Sequence, residues 1–357
     1  MTDRKIPTAI LGASGYIGQH FARLLNDHPD FDVPVLGAGE RSGGRRLSDV
    51  WMLSEPTPPH LHDSRLTRLT PAALQRAGVR VVFSALPSGT AGGIESELVR
   101  RGVSVFSNAS DHRMDPSVPL LVPEVNARHL RLVARRPRGR GLLVTNPNCS
   151  ATGLVVALAP VLRPLGPRAV HVATYQSISG AGYPGVPSLA VTDNVVPFIR
   201  EEEEKMELES TRILGTLRGR EVRSAGFPLV AHCARVATRE GHLEAVTVEA
   251  TRRPTLDDLR AAWTSFDPLR PLRLPTAPHP PIELRREADR PQPVRDRWAG
   301  APERARGMAV VVGRLRWTPP YLRFFVLSHN AVRGGAGGSV LNAELALAQG
   351  FLDGRGA

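Results

Sequence analysis

Residues 8–25, TAILGASGYIGQHFARLL, constrain the fold more than any other stretch. Thr8–Ala13 reads as a short apolar strand that runs straight into Gly12, Gly15 and Gly18. Apolar residues then recur at Phe21, Leu24 and Leu25, the spacing of one helix face. Strand, glycine turn and helix in this order open a dinucleotide-binding unit. The glycines let the turn tighten and let main-chain N–H groups approach a pyrophosphate. The helix N-terminus then faces the negative charge.

Downstream segments extend that unit. Asp32–Ala38 reads as its second strand, and Glu40, Arg41, Ser42 and Arg45 follow where such a fold meets the adenosine ribose. An acidic residue there takes ribose hydroxyls, whereas Arg with Ser takes a 2′-phosphate. Glu40 favours the first, and Arg41, Ser42 and Arg45 favour the second; the balance favours the phosphate. Further strands are expected at Val79–Leu86, within VSVFSNAS (Val103–Ser110), at Leu120–Val125 and at Leu142–Thr145, with Arg135–Arg140 as a surface crossing. Strands alternating with helices argue for a mostly parallel, Rossmann-like α/β sheet. The second half changes character. Ala169–Ser177, Leu243–Ala250, Val310–Trp317 and Leu322–Leu327 alternate as half-solvated strands, which predicts an α+β domain with a mixed, largely antiparallel sheet. Residues 264–306, rich in Pro and Arg, read as a surface path, and Ser339–Gln349 as a helix.

A length of 357 residues suits about two domains. With 41% hydrophobic and 22% charged residues the chain can build a core without disulfide or metal staples, which excludes general disorder and a cysteine-rich scaffold. No apolar run approaches the length of a membrane span, and the first residues lack the pattern of a signal peptide. The expectation is a cytoplasmic protein with no membrane contact. The net charge of +12 would suit nucleic acid, but the arginines are scattered and no nucleic-acid-binding motif accompanies them. Only Lys5 and Lys205 are lysines, which sets Lys205 apart. Two cysteines without a CxxC are too few for a structural zinc site, so no metal is expected.

The chemistry gathers at Thr145–Gly153, TNPNCSATG. A strand ends, Asn146-Pro147 turns, and an apolar helical run begins, so Cys149 lies at a helix N-terminus. Free N–H groups and the helix dipole there stabilise a thiolate. Cys149 reads as a nucleophile and Cys233, within AHCARVA, as core. A thiolate nucleophile needs a proton acceptor. Of eleven histidines, His242 follows Gly241 at the start of a strand, shortly after Arg235; position alone leaves a solvated loop residue equally open. A nucleotide site and a thiolate together suit an aldehyde. The thiohemiacetal passes hydride to a nicotinamide and becomes a thioester; reversal gives an acyl-phosphate or acyl-CoA reductase.

At this point the residues resemble a family. GASGYIGQ (Gly12–Gln19), SNASDHRM (Ser107–Met114), VPEVN (Val122–Asn126), NPNCSATGL (Asn146–Leu154), QSISGAGYPGVPS (Gln176–Ser188) and DNVVPFI (Asp193–Ile199) come in order. EEEEKMELES (Glu201–Ser210), CARVATREGH (Cys233–His242), RPQPVRDR (Arg290–Arg297) and LSHNAVRGGAGGSVLNAEL (Leu327–Leu345) complete the set. The chain resembles the aspartate-β-semialdehyde dehydrogenases, in their archaeal and fungal branch. The resemblance implies Cys149 as nucleophile, His242 as acid/base and Gln176 as the residue that orients the acyl group. It implies Arg235 on the substrate α-carboxylate, Glu202 on the ammonium, and Arg113 with Lys205 at the phosphate. It implies NADP/NADPH as cofactor, met by Gly12, Ser14, Gly15, Tyr16 and Gly18, by Arg41 and Ser42 at the 2′-phosphate, and by Gly335 and Gly337 beside the nicotinamide. It further implies an NADP-binding domain over 1–149 completed by 330–357, a catalytic domain over 150–329, a homodimer or homotetramer, and a place in amino-acid biosynthesis.

Departures from the family pattern are Ser177 and Ile178 in QSISGAG, Ala234, Ala237 and Thr238 in CARVAT, Glu209-Ser210 after the acidic run, and GGAGG near the end. None removes a proposed catalytic group, but Ser177 and Ala234 border the site. The alternatives are a malonyl-CoA or related acyl reductase, for which Glu202 is idle, and a paralogue acting on an analogue of aspartate semialdehyde. NPNCS in place of NPGCY argues against N-acetyl-γ-glutamyl-phosphate reductase. A NADP-binding regulator on the same scaffold has only the charge in its favour.

Overall fold

The computed structural model describes residues 5–68, 70–134, 136–137 and 139–352. The chain forms β1 (Ile6–Leu11), α1 (Tyr16–Leu24), β2 (Phe31–Gly37), α2 (Pro71–Arg76), β3 (Val81–Ser84), α3 (Ala91–Arg100), β4 (Ser104–Ser107), α4 (Pro123–Asn126) and β5 (Leu143–Thr145). It continues with α5 (Cys149–Leu165), β6 (Pro167–Gln176), α6 (Ser188–Val191), α7 (Glu202–Ile213) and the hairpin β7 (Thr216–Arg218) and β8 (Glu221–Arg223). Then come β9 (Leu229–Arg235), β10 (His242–Ala250), α8 (Leu256–Thr264), β11 (Ile282–Leu284), α9 (Pro293–Asp296), β12 (Val310–Thr318), β13 (Tyr321–Ser328) and α10 (Gly337–Ala348). Packing separates two units: one drawn from 1–121, 128–146 and 335–357, the other from 122–127 and 147–334.

The first unit is a five-stranded sheet in the order β2-β1-β3-β4-β5, with every pairing parallel. On one face Ala9, Leu11, Val82 and Val105 pack with Leu74 of α2 and Leu98 of α3. On the other, the Phe83 ring lies 5.1 Å from Phe21 of α1, 5.6 Å from Phe31 and 5.8 Å from Phe106. Both faces are covered, which is why VVFS in β3 is apolar without alternation. α10 returns to pack on α1 and β4, and a fully buried His28–Glu344 contact of 2.9 Å anchors it.

The second unit holds a six-stranded sheet in the order β11-β12-β13-β10-β6-β9. Its β12–β13, β13–β10 and β10–β6 pairings are antiparallel, and its β11–β12 and β6–β9 pairings are parallel. α5 packs on one face of this sheet and is buried nearly all round from Ser150 to Leu158. The other face is half-open and presents Tyr175 and Val230 to solvent. α4 belongs to this unit: Arg333 forks onto both Glu124 carboxylate oxygens at 2.7 Å inside the core.

Two expectations need correction. Leu120–Val125 is not a strand. Leu120 makes an isolated bridge to Thr145, and Pro123, which lacks the N–H a ladder needs, starts α4 instead. Residues 264–306 do not merely cross the surface. Thr276, Ala277, Ile282, Asp296 and Ala305 are buried, and β11 adds a parallel edge to the sheet. Asp296 carries its charge inward because Arg285 and Arg290 both pair with it. In the stretch read as a surface crossing, Arg135 and Arg138 lie outside the described residues, as do positions 353–357 of the C-terminal segment.

Phe83→Ala would leave a cavity between three aromatic rings. The expected cost is about 3–5 kcal/mol, read as a lower denaturant midpoint with an unchanged slope.

Candidate active site

Cys149 is the first residue of α5, and the residue before it caps the helix. Asn148 Oδ1 accepts from the N–H groups of Ser150 at 2.9 Å and Ala151 at 3.1 Å, while its own N–H donates to Glu209 Oε2 at 2.6 Å. The cap fixes where the helix begins and thus where the sulfur stands. At this position the helix dipole favours an anion. Gly334 packs directly on the cysteine: a Cβ there would lie 2.7 Å from both Cys149 Cα and Cβ, so no side chain fits.

His242 opens β10, opposite Ser328 of β13, and brings Nε2 to 3.2 Å from Cys149 Sγ. The ring's other nitrogen settles its hydrogen. Nδ1 accepts from the Ser177 N–H at 3.1 Å, so the neutral ring carries its hydrogen on Nε2, towards sulfur. Burial, and then the Arg235 charge, lower the His242 pKa to about 3. Gly180 makes room for both groups; a Cβ there would stand 2.7 Å from Arg235 Nη1 and 3.0 Å from His242 Cε1.

Parallel pairing of β6 and β9 sets Gln176 beside Arg235. Gln176 Nε2 donates to Glu202 Oε1 at 2.8 Å, and Arg235 Nη1 donates to Ser177 O at 2.8 Å. Glu202 stands in the first turn of α7 and is nearly buried. Burial lowers the Arg235 pKa, against the opposing charges of Cys149 and Glu202. Cys149, His242, Gln176, Glu202 and Arg235 therefore gather in one unit. The set combines a nucleophile, a proton carrier, a guanidinium and a carboxylate. Lys205, one turn after Glu202 on α7, places Nζ 2.9 Å from Glu201 Oε2 at a partly exposed position. Cys233 lies in β9 against Met206 Sδ at 3.7 Å, and burial raises its pKa to about 12, so it is a core thiol.

The remaining sequence-predicted residues belong to the first unit. Gly12 has φ +75° and would press a Cβ to 2.6 Å from Ala85 O; a Cβ on Gly18 would come within 2.1 Å of Gly12 O. These glycines let α1 start directly beside the strand end. Gly15 is the N-cap and brings no side chain to the helix head, and Ser14, Gly15 and Tyr16 stay partly exposed. This is a cradle that fits a pyrophosphate. After β2, Glu40 pairs with Arg68 at 2.8 Å, whereas Arg41 has no ion-pair partner among the described residues. The loop chemistry therefore fits a phosphate better than ribose hydroxyls. Arg113, in the loop after β4, donates from Nη2 to Asn108 O at 2.8 Å. Gly335 O accepts from Asn146 Nδ2 at 3.4 Å, and Gly337 is the first, buried residue of α10.

The sequence reading gave no role to three groups: the Asn148 cap, its Glu209 partner, and Asn330, whose Oδ1 accepts from Gly241 N–H at 2.9 Å. Asn148 had a usable signal, since an Asn directly before an apolar helical run is a favoured N-cap. Glu209 and Asn330 had none, because they reach the site through tertiary pairing.

Comparison with known proteins gives consistent matches. The semialdehyde dehydrogenase NAD-binding domain matches residues 7–133, and the semialdehyde dehydrogenase dimerisation domain matches residues 158–333. An aspartate-semialdehyde dehydrogenase of Archaeoglobus fulgidus is 44% identical over 94% of this chain and 96% of its own length. A malonyl-CoA reductase (NADP) of Metallosphaera sedula is 38% identical over 99% of each chain. The crystal structure of aspartate-semialdehyde dehydrogenase with NADP from Candida albicans superposes with a TM-score of 0.87 at 33% identity, covering 98% of this chain and 100% of that one.

The depressed His242 pKa makes stability depend on pH. Between about 6.5 and about 3 the unfolded chain takes a proton on this residue and the folded chain does not, so stability falls as pH falls. The slope from this group is roughly 1.4 kcal/mol per pH unit at most. Denaturant titrations at several pH values should show this acid loss, and His242→Gln should reduce it.

Proposed function

The chain belongs to the aspartate-semialdehyde dehydrogenase family, and on that premise we propose that it reduces L-aspartyl 4-phosphate to L-aspartate 4-semialdehyde and phosphate with NADPH, reversibly. The observation that carries the reading is the Cys149 Sγ–His242 Nε2 contact of 3.2 Å at the head of a capped helix.

The residues act as follows. The Cys149 thiolate adds to C4 of the acyl phosphate, the C–O bond to phosphate breaks, and a thioester remains on sulfur. Bound NADPH supplies the hydride that takes this carbonyl to the aldehyde level. His242 holds a proton at Nε2 for the oxygen of the thiohemiacetal, and receives it back as the C–S bond breaks and the thiolate returns. Gln176, fully buried, orients the acyl group. The planar fork of Arg235 suits the α-carboxylate, and Glu202 suits the ammonium. Arg113 and Lys205 take the phosphate; the exposed pairing of Lys205 with Glu201 is one that a phosphate can replace.

The cofactor assignment rests on the cradle of Gly12, Ser14, Gly15, Tyr16 and Gly18, with Arg41 and Ser42 for the 2′-phosphate and Gly335 and Gly337 for the nicotinamide. In this reading residues 1–149, completed by 330–357, are the NADP-binding domain, and 150–329 the catalytic domain. The half-open sheet face with Tyr175 and Val230 suits a second copy of the chain, as a homodimer or homotetramer. Two free thiols suit the reducing cytoplasm. Neither nucleic acid nor membrane has a part in the reading, and among the described residues no helix is long and apolar enough to cross a membrane.

A second reading, malonyl-CoA reduction, has support from the Metallosphaera sedula relative. Initial rates of NADP⁺ reduction by L-aspartate 4-semialdehyde, with and without phosphate, separate the two. NAD⁺ and malonyl-CoA with NADPH run as parallel arms, and Cys149→Ala is the blank. Phosphate-dependent turnover that the blank lacks is expected, with NADP⁺ preferred. Arg235→Lys should lower kcat/KM about 10- to 100-fold through loss of the paired charged hydrogen bonds. Turnover of malonyl-CoA without turnover of the semialdehyde would overturn the assignment.

A further inference from the structure

A cleft of about 560 Å³ opens in the second unit between α8, the end of β11 and β12. Its walls carry five arginines: Arg260 from α8, Arg285 and Arg286 directly after β11, and Arg314 and Arg316 from β12. Two acids, Asp257 and Glu287, share the lining, and half-buried Leu284 and Leu315 supply apolar surface. None of these residues belongs to the set around Cys149.

Local pairing leaves much of this charge unanswered. Arg260 meets Asp257 at 3.0 Å where both are exposed, a kind of pair that contributes little. Arg285 is held by Glu283 at 2.7 Å and by Asp296 at 3.2 Å, which fixes its planar fork in one orientation. Glu287 Oε2 accepts from the main-chain N–H of Arg286 at 3.0 Å, and Arg314 donates to the Ala288 carbonyl. The guanidinium groups of Arg286 and Arg316 have no hydrogen-bond or ion-pair partner among the described residues. Arg316 also stands directly across from Arg323 of β13, so its cross-strand neighbour carries the same charge.

The backbone bends to present these groups. The β12–β13 register shifts between Gly313 and Arg316, and Arg314 takes φ +58°, a conformation that L side chains adopt at a cost. Gly313 allows the bend, since a Cβ there would lie 2.5 Å from Arg290 O. Arg314 and Arg316 are both left exposed at the cleft. Converging like charges and a strained arginine both oppose folding, and an anion bound among them lowers the repulsion. Guanidinium forks match phosphate oxygens two at a time. Unpartnered forks on two separate elements call for more than one anionic group. The cleft is the size of a small-ligand site, about 300–1,000 Å³. No aromatic ring lines it, so the bases of a nucleic-acid strand find no stacking platform.

We propose that this cleft binds a small anion carrying two or more phosphate groups, gripped by Arg286 and Arg316 and flanked by Arg260, Arg285 and Arg314. The shared chemistry is a short phosphate chain, free or attached to a nucleoside.

Calorimetric titration of the full-length protein tests this. NADP⁺ and inorganic phosphate are present at saturation, to fill the cofactor and active-site phosphate positions. Sodium tripolyphosphate and ATP are the probes. One further saturable site per chain is expected. The double variant Arg286→Ser/Arg316→Ser should weaken it at least about 10-fold. Arg76→Ser/Arg100→Ser removes the same charge from exposed positions on α2 and α3 and should bind as the wild type does. Equal affinity for both probes assigns the phosphate chain as the recognised part, and tighter binding of ATP adds the nucleoside to it. Absence of saturable binding overturns the proposal. So does binding that the Arg286/Arg316 variant retains, or a loss of equal size in both variants, which would be an effect of net charge. Tighter binding of a 20-nucleotide single strand than of tripolyphosphate would also overturn it, in favour of a nucleic-acid track.

Discussion

The pairing of β6 with β9 and β10 is the constraint on which the site depends. β6 and β9 run parallel and finish together, with Gln176 beside Arg235. β10 runs antiparallel to β6 and begins at His242, one residue before the Leu243–Tyr175 pair. Two strand ends and one strand start thus meet at one edge of the sheet. A slip of one residue in any of the three would send its functional side chain to the opposite face. The half-open face would then receive the arginine or the histidine, and α5 would meet no partner for its cysteine.

Packing supplies the rest of the precision. α5 is pressed on the sheet by a buried apolar surface, and Asn148 and Glu209 fix its first turn. Close approach is possible because two neighbours have no side chain: Gly334 against Cys149, and Gly180 against His242 and Arg235. The same closeness sets the electrostatics. Burial strips water from the imidazole and the Arg235 cation opposes a second charge, so the ring stays neutral. The hydrogen bonds around it then decide which nitrogen holds the hydrogen.

Much of this was legible in the chain. The glycine turn after β1, the buried run of β3, the strand–NPNC–helix junction and the alternation of β6 and β10 all carry local signals. Local signals failed where a tertiary partner overrode them. VPEVN looks extended by composition, yet proline at the head and a buried Arg333 fork on Glu124 make it a short helix. The Pro- and Arg-rich 264–306 stretch looks solvated, yet Asp296 is satisfied internally by Arg285 and Arg290, and β11 finds an edge to join. Ser177 was visible only as a departure from a family pattern. In the structure its hydroxyl donates to Asn330, which is 153 residues away.

The sequence by itself determined the two sheet classes, the glycine cradle and the position of Cys149 at a helix head. Each of these follows from periodicity, from missing side chains or from a turn, all of which act within a few residues. Only the tertiary structure decided that His242 faces the sulfur, that Glu40 is engaged by Arg68 while Arg41 has no ion-pair partner among the described residues, and which ring nitrogen carries the hydrogen. The physical reason is one of range. Hydrogen bonds, burial and charge pairing depend on distances of a few ångströms between residues far apart in the chain, and no local pattern encodes those distances.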